Sequence, residues 1–178
     1  AAIGNKKELT LATAASAQYI DFKAILPYID FVNIMAYDMA NAPKHHSALY
    51  PSANSGEITS DQAVNAHLKA GVPPSKLVMG MPFYGRGGAN YPSFQDYNKV
   101  GNTNKDFTEK WDDVAQVPYL ANKNDTLVFG FENPRSLAIK CQYILNRDLL
   151  GGMYWDYSGD NEKGDLRRTV AEGLLGKP

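Results

Sequence analysis

The sequence predicts an α/β fold built on a parallel sheet, on three observations. Short apolar segments at 9–15, 31–37, 77–81 and 151–157 are each followed by residues with helical apolar spacing, so strand and helix alternate four times. The segment from Phe31 to Tyr37 is apolar on both faces, as a strand covered on both sides should be. The alternation is interrupted once, between Tyr84 and Glu132, by a stretch dense in Gly, Asn, Tyr and Lys. A structureless loop of that length is uncommon inside a compact domain, so a small inserted subdomain is expected there. The expected organisation is residues 1–84, an insertion over 85–132, and 133–178.

The elements follow in order. Ala1 to Lys7 reads as the tail of a helix stopped at Gly4-Asn5. Leu9 to Ala15 is a short apolar, Thr-rich run expected to be a buried strand. Tyr19, Ile20, Phe22, Ile25 and Leu26 mark one face of a helix over 16–26 that Pro27 ends. Phe31–Tyr37 is the second strand, and the Asn-, Ser- and Pro-rich residues 38–59 form a long loop. Ser60 or Asp61 caps a helix running to Ala70, with Gly71 as its stop. Leu77–Met81 is the third strand. Within the insertion, Thr126–Phe131 is β-like. Asn133-Pro134-Arg135-Ser136 opens a helix through Leu145, with Pro134 at the first helical position. Gly151–Tyr157 is the fourth strand and Asp165–Leu175 the last helix.

Composition narrows the function classes. The 178 residues suffice for one domain or slightly more, and 44% hydrophobic with 21% charged residues is close to the globular average. A net charge of −1 without a basic run gives no electrostatic basis for binding nucleic acid or an anionic membrane. A single cysteine, Cys141, excludes an internal disulfide framework and a Cys-based zinc cluster. No uninterrupted apolar run reaches the roughly 18 residues of a spanning helix. Ala1–Leu11 lacks the apolar core of a signal peptide and there is no initiator Met, so the chain is expected to start inside a longer protein. No cofactor is indicated. His45, His46 and His67 lack the spacing of a metal site and are read as loop residues, and Gly85-Arg86-Gly87-Gly88 lacks the Lys-Ser/Thr of a phosphate loop.

Ligands of parallel α/β sheets meet the carboxyl ends of the strands. Those ends here read Met35-Ala36-Tyr37-Asp38, Pro82-Phe83-Tyr84-Gly85-Arg86 and Tyr154-Trp155-Asp156-Tyr157. Each presents aromatics, with Asp or Arg beside them. Aromatic faces stack on the C–H faces of sugars while charged groups engage hydroxyls, so a carbohydrate site is the expectation. Any one of these residues alone fits equally a strand-capping role, and an Asp past a strand is often a helix cap; the three ends together favour a site.

The segments Phe31–Asp38, Ala70–Arg86 and Gly151–Asp156 resemble glycoside hydrolase family eighteen, the chitinases, in order and spacing. The resemblance implies strands five to eight of a (β/α)₈ barrel, a partial TIM barrel, with the stretch after Arg86 as the family's α+β insertion domain. It implies that N-acetylglucosamine oligomers or polymers are the ligand and that the sugar's own 2-acetamido group is the nucleophile. By the same resemblance Tyr37 and Asp38 are catalytic: Tyr37 donates a hydrogen bond to the acetamido oxygen, and Asp38 hydrogen-bonds the distorted sugar or orients the acetamido group. Trp155 is the floor under the sugar, Tyr84 and Arg86 line the cleft with Arg86 pairing to Asp38, and Met35 packs beneath Tyr37. Secretion or a periplasmic location is implied by the family alone.

The family's general acid is the last residue of an Asp-x-x-Asp-x-Asp-x-Glu motif at the end of strand four, and no segment of this chain carries that motif. Asp156, Glu57, Glu109 and Glu132 have nothing local in the sequence to raise their pKa and are not expected to replace it. Three readings remain open: part of a chitinase-like glycosidase, inactive by itself; a lectin-like carbohydrate-binding module; and an assembly in which open strand edges pair with the missing half-barrel or a second copy of the chain.

Overall fold

The computed structural model describes residues 4, 6–88, 91–100 and 106–176. The helix tail expected over 1–7 falls mainly outside these residues; Gly4 is left-handed, with φ +70°. The chain begins with β1 (Thr10–Ala14), then a single helical turn α1 (Phe22–Ile25), β2 (Phe31–Met35), α2 (Ser60–Lys69) and β3 (Leu77–Pro82). Five short strands follow: β4 (Tyr84–Gly87), β5 (Gln95–Asp96), β6 (Thr108–Asp112), β7 (Val117–Ala121) and β8 (Leu127–Gly130). α3 (Pro134–Asn146), β9 (Gly151–Trp155) and α4 (Asp165–Leu175) complete it.

The strands form two sheets. β1, β2, β3 and β9 lie side by side in that order, every pair parallel. The order β5-β4-β8-β7-β6 makes an antiparallel sheet from residues 84–130. Burial in the parallel sheet follows position. β3, in the middle, is buried at all six residues, whereas only Thr13 is buried in β1. The strand expected over 9–15 therefore exists but is not a buried one. Among the described residues it pairs with β2 alone, and Thr10, Ala12 and Ala14 are exposed.

The helix expected over 16–26 is shortened to α1. Ala17 and Tyr19 take positive φ (57° and 66°), and Tyr19 is fully exposed, so the apolar spacing does not describe one buried face. The Asp21 side chain starts the turn by accepting from the Ala24 N–H at 3.1 Å. Helix α2 is capped one residue earlier than expected, by Thr59. Its hydroxyl accepts from the Gln62 N–H while the Gln62 side chain accepts from the Thr59 N–H, a capping box. α3 starts as predicted, with Asn133 and Ser136 exchanging reciprocal side-chain bonds around Pro134.

The core is formed by Val32, Ile34, Leu77, Met79, Met81, Phe83, Leu137, Ile144 and Leu166, between the parallel sheet and its helices. His67 is not a loop residue: it is fully buried on α2 and binds that helix to β1. Its Nδ1 reaches the Ala63 carbonyl and its Nε2 the Thr13 hydroxyl, both at 2.8 Å. Because a carbonyl only accepts, Nδ1 carries the proton and Thr13 donates to Nε2.

His45 and His46 lie in the loop after β2 but are buried as well. Burial lowers the pKa of all three histidines. A histidine whose folded pKa is depressed leaves the unfolded chain binding more protons once the pH falls below its ordinary value near 6.5. Stability is thus expected to fall between pH 7 and pH 5. Replacing His67 by Gln, which keeps a donor and an acceptor, should flatten that slope by up to about one proton. Urea midpoints across this range in both proteins check it; parallel curves would contradict it.

Candidate active site

The site begins where β2 ends. The Ala36 N–H turns back to the Ile34 carbonyl at 2.8 Å, a tight turn that places Tyr37 and Asp38 past the strand's carboxyl end. Gly80 of β3 makes room for Tyr37: a Cβ there would lie 2.8 Å from its Cε1 and 2.5 Å from the Ile34 carbonyl oxygen. Asp38 is left-handed, with φ +57°, a conformation Asp tolerates better than most residues. Met35, Tyr37 and Asp38 line an open cleft of about 360 Å³ together with Ala14, Ala15 and Ile58.

β4 brings the cation. Arg86 grips Asp38 with a fork, Nε to Oδ1 and Nη2 to Oδ2, both at 2.7 Å. Tyr84, buried on the same strand, also hydrogen-bonds the Asp38 carboxylate. Burial alone would push the Asp38 carboxyl up, but the hydrogen bonds and charge of Arg86, with His46 and Tyr84 beside it, hold it well below the usual carboxylate range. The opposite holds for the phenols. Burial, and then the Asp38 charge, raise both Tyr37 and Tyr84, so both keep their protons at any physiological pH and remain donors.

The rings form a chain. Tyr37 meets Tyr84 edge-on at 6.1 Å, and Tyr84 stacks on Phe94 at 4.7 Å. The Arg86 guanidinium stands 5.3–5.4 Å from the Tyr84 and Phe94 rings. Trp155 ends β9, in register with Pro82 and 56% exposed; its carbonyl accepts from the Phe83 N–H at 2.7 Å. Of the six residues picked from the sequence, five thus gather around Asp38 and its cleft. Trp155 stands on the same strand-end side, joined to them through the main chain of Phe83. Asp156 caps the short turn over Tyr157–Gly159, accepting from the Ser158 N–H at 2.9 Å and from its hydroxyl.

Other residues of the cluster escaped the sequence reading. Phe94 was only one aromatic in the insertion. His46, read only as a loop residue, lies under the site. Its ring is 5.5 Å from that of Tyr84, and its Nδ1 lies 3.4 Å from the Asp38 amide nitrogen. Glu132 is also fully buried, ion-paired with Lys140 of α3 and accepting from the Ser47 hydroxyl at 2.6 Å. Lys140 donates to the Ser47 carbonyl at 2.6 Å as well. The adjacent histidines eight residues past Asp38 were the available signal, but histidine type alone does not tell a core residue from a solvated one. Among the described residues no three of His, Cys, Asp and Glu form a metal-binding group, and no helix is long and apolar enough to cross a membrane.

Comparison with known proteins places this geometry. Residues 1–160 match Glycosyl hydrolases family 18. Chitinase A1 of Niallia circulans is 33% identical over 90% of this chain and 28% of its own length. A solved chitinase from Bacillus thuringiensis superposes with a TM-score of 0.86 at 29% identity, over 98% of this chain and 37% of that one. A family 18 N-acetylglucosaminidase from Paenibacillus barengoltzii gives 0.84 at 28% identity, over 97% and 58% respectively. The chain spans less than half the length of the curated relatives it matches. With a parallel α/β sheet and a tyrosine, an aspartate and an arginine joined at its strand ends, the chain belongs to glycosyl hydrolase family 18.

Proposed function

We propose that this chain is the sugar-holding part of a chitinase-like glycosidase acting on β-1,4-linked N-acetylglucosamine chains. The single observation that carries the reading is the Tyr37–Asp38–Arg86 cluster at the strand ends of a family member. In this reading β1, β2, β3 and β9 are strands five to eight of a (β/α)₈ barrel, and the antiparallel sheet is the insertion domain. The open outer edges of β1 and β9 take the preceding half-barrel, or a second copy of the chain when it is absent. Such an enzyme works on an external polymer, which fits secretion.

Retaining catalysis is substrate-assisted. The 2-acetamido oxygen attacks the anomeric carbon as the glycosidic bond breaks, and the leaving oxygen takes a proton from a general acid. Tyr37, neutral and donating, hydrogen-bonds the acetamido oxygen as it attacks. Asp38, held ionised by Arg86, orients the acetamido N–H, and the Trp155 face packs under the ring. The acid comes from the Asp-x-x-Asp-x-Asp-x-Glu motif, which the 178 residues do not contain. The chain by itself therefore binds without turnover; a lectin-like carbohydrate-binding module is the second reading.

Titration of the chain with N-acetylglucosamine trimer, read by tryptophan fluorescence, tests the proposal. Binding is expected, weakened at least about tenfold in Trp155→Ala by loss of the stacking surface. A chromogenic chitobioside should give no product, and light scattering should find a species above 19.6 kDa. Turnover that vanishes in Tyr37→Phe would overturn the claim of inactivity; absence of binding would overturn the site.

A further inference from the structure

We propose that His46 is a positioning residue of this site, its neutral Nδ1 accepting a hydrogen bond from the Asp38 N–H and so fixing the turn that hands the Asp38 carboxylate to Arg86 and Tyr84. The proposal rests on the reading of Tyr37–Asp38 as a sugar site and adds to it a group from the buried side.

The geometry is specific. The Asp38 amide nitrogen lies 3.4 Å from Nδ1 with hydrogen-bond alignment, and the nearest Asp38 carboxylate oxygen stands 3.6 Å from the same nitrogen, so Nδ1 faces both the amide and the carboxylate of one residue. An amide N–H can only donate, so Nδ1 takes the acceptor role and the ring proton goes to Nε2, which is buried without a hydrogen-bond partner among the described residues. The amide matters because Asp38 lies past the end of β2, in a left-handed conformation outside the strand ladder. The same ring packs against Tyr84, the second donor to the Asp38 carboxylate. One buried side chain thus touches both the backbone of Asp38 and one of the two groups that hold its carboxylate.

His46 is itself anchored. Its carbonyl accepts from the Met39 N–H at 3.0 Å, closing the turn around Asp38. On one side the His45 N–H bonds the Asn54 carbonyl at 2.7 Å and its Nε2 meets Asp112 at 3.2 Å. On the other, Ser47 is held through both its hydroxyl and its carbonyl by Glu132 and Lys140. The titratable groups facing the His46 ring are Asp38, Glu132, Lys140, Tyr84 and the neighbouring His45. Burial outweighs the two carboxylates and keeps the imidazole neutral, the state in which Nδ1 has a lone pair to offer.

Imidazole nitrogen NMR on the 178-residue chain tests the assignment without a mutation. The expected result is a neutral His46 protonated on Nε2; protonation on Nδ1 would overturn it. Two variants test the consequence. In His46→Asn, Oδ1 is attached to Cγ as Nδ1 is, so the acceptor is kept. In His46→Leu, the volume is largely kept and the acceptor lost. The Asp38 carboxyl, followed by carbon NMR, should titrate in His46→Asn as in the parent and about one pH unit or more higher in His46→Leu, because its grip on Arg86 loosens. A merely structural role would lower the stability of both variants while leaving the carboxyl midpoint unchanged, and equal midpoints would overturn the proposal. Trimer affinity should follow the same order, with a loss of about tenfold in His46→Leu only. If the parent does not bind the trimer, the sugar site fails, while the tautomer and the Asp38 midpoints still decide for or against His46.

Discussion

Replacing Lys140 by alanine should cost this chain about 3–5 kcal/mol, the range for removing one partner of a buried ion pair. Lys140 and Glu132 are both fully buried, and Lys140 also holds the Ser47 carbonyl. Truncation leaves the Glu132 carboxylate without its cation in a site water does not reach, which is more costly than losing the attraction itself. The double variant Glu132→Gln, Lys140→Met removes both charges and keeps an acceptor for the Ser47 hydroxyl. It should recover most of the loss, since a neutral pair of similar volume avoids the desolvation cost of two ions. Urea unfolding with unchanged slope reads both effects. A Lys140→Ala loss under about 1 kcal/mol, or a double variant no better than the single one, would show that the pair does not hold this region.

The second large effect is expected at Gly80. An alanine methyl would stand 2.5 Å from the Ile34 carbonyl oxygen, 2.8 Å from Tyr37 Cε1 and 3.0 Å from Met153 Cε. The methionine end can move, but the carbonyl belongs to the neighbouring strand and the ring lies against Tyr84. Gly80→Ala should therefore destabilise by about 1–3 kcal/mol, the usual range for overpacking. It should also weaken trimer binding beyond what the stability loss explains, because the methyl presses directly on the Tyr37 ring. Gly151→Ala serves as control, since a Cβ there meets nothing within 4 Å. Equal stability and affinity in Gly80→Ala and the parent would mean that Tyr37 is not seated on this glycine.

Both predictions concern residues that the sequence marked only weakly. A glycine inside an apolar strand pattern signals close backbone approach, yet does not say what approaches. Lys140 reads as an ordinary charged position of a helix, and Glu132 as one of several loop carboxylates. The site at the strand ends was far more legible. Tyr37, Asp38, Tyr84 and Arg86 each follow an apolar strand directly, and in a parallel sheet strand ends converge by construction. The Arg86–Asp38 fork joins residues 48 apart, and it was expected from the family resemblance.

The sequence by itself determined the alternation of strand and helix, the caps at Asn133 and near Thr59, the strand ends that carry the site, and the family. Those features depend on spacing and on contacts within a few residues, which chain order preserves. Only the tertiary structure decided that β1 is an exposed edge, that the helix before Pro27 shrinks to one turn, and that His46, Glu132 and Lys140 are buried beneath the site. Burial of a polar side chain depends on partners brought from elsewhere: Ser47 meets Glu132 and Lys140 across 85 and 93 residues. A buried charge is tolerable only when such partners are in place, and no local pattern records whether they are.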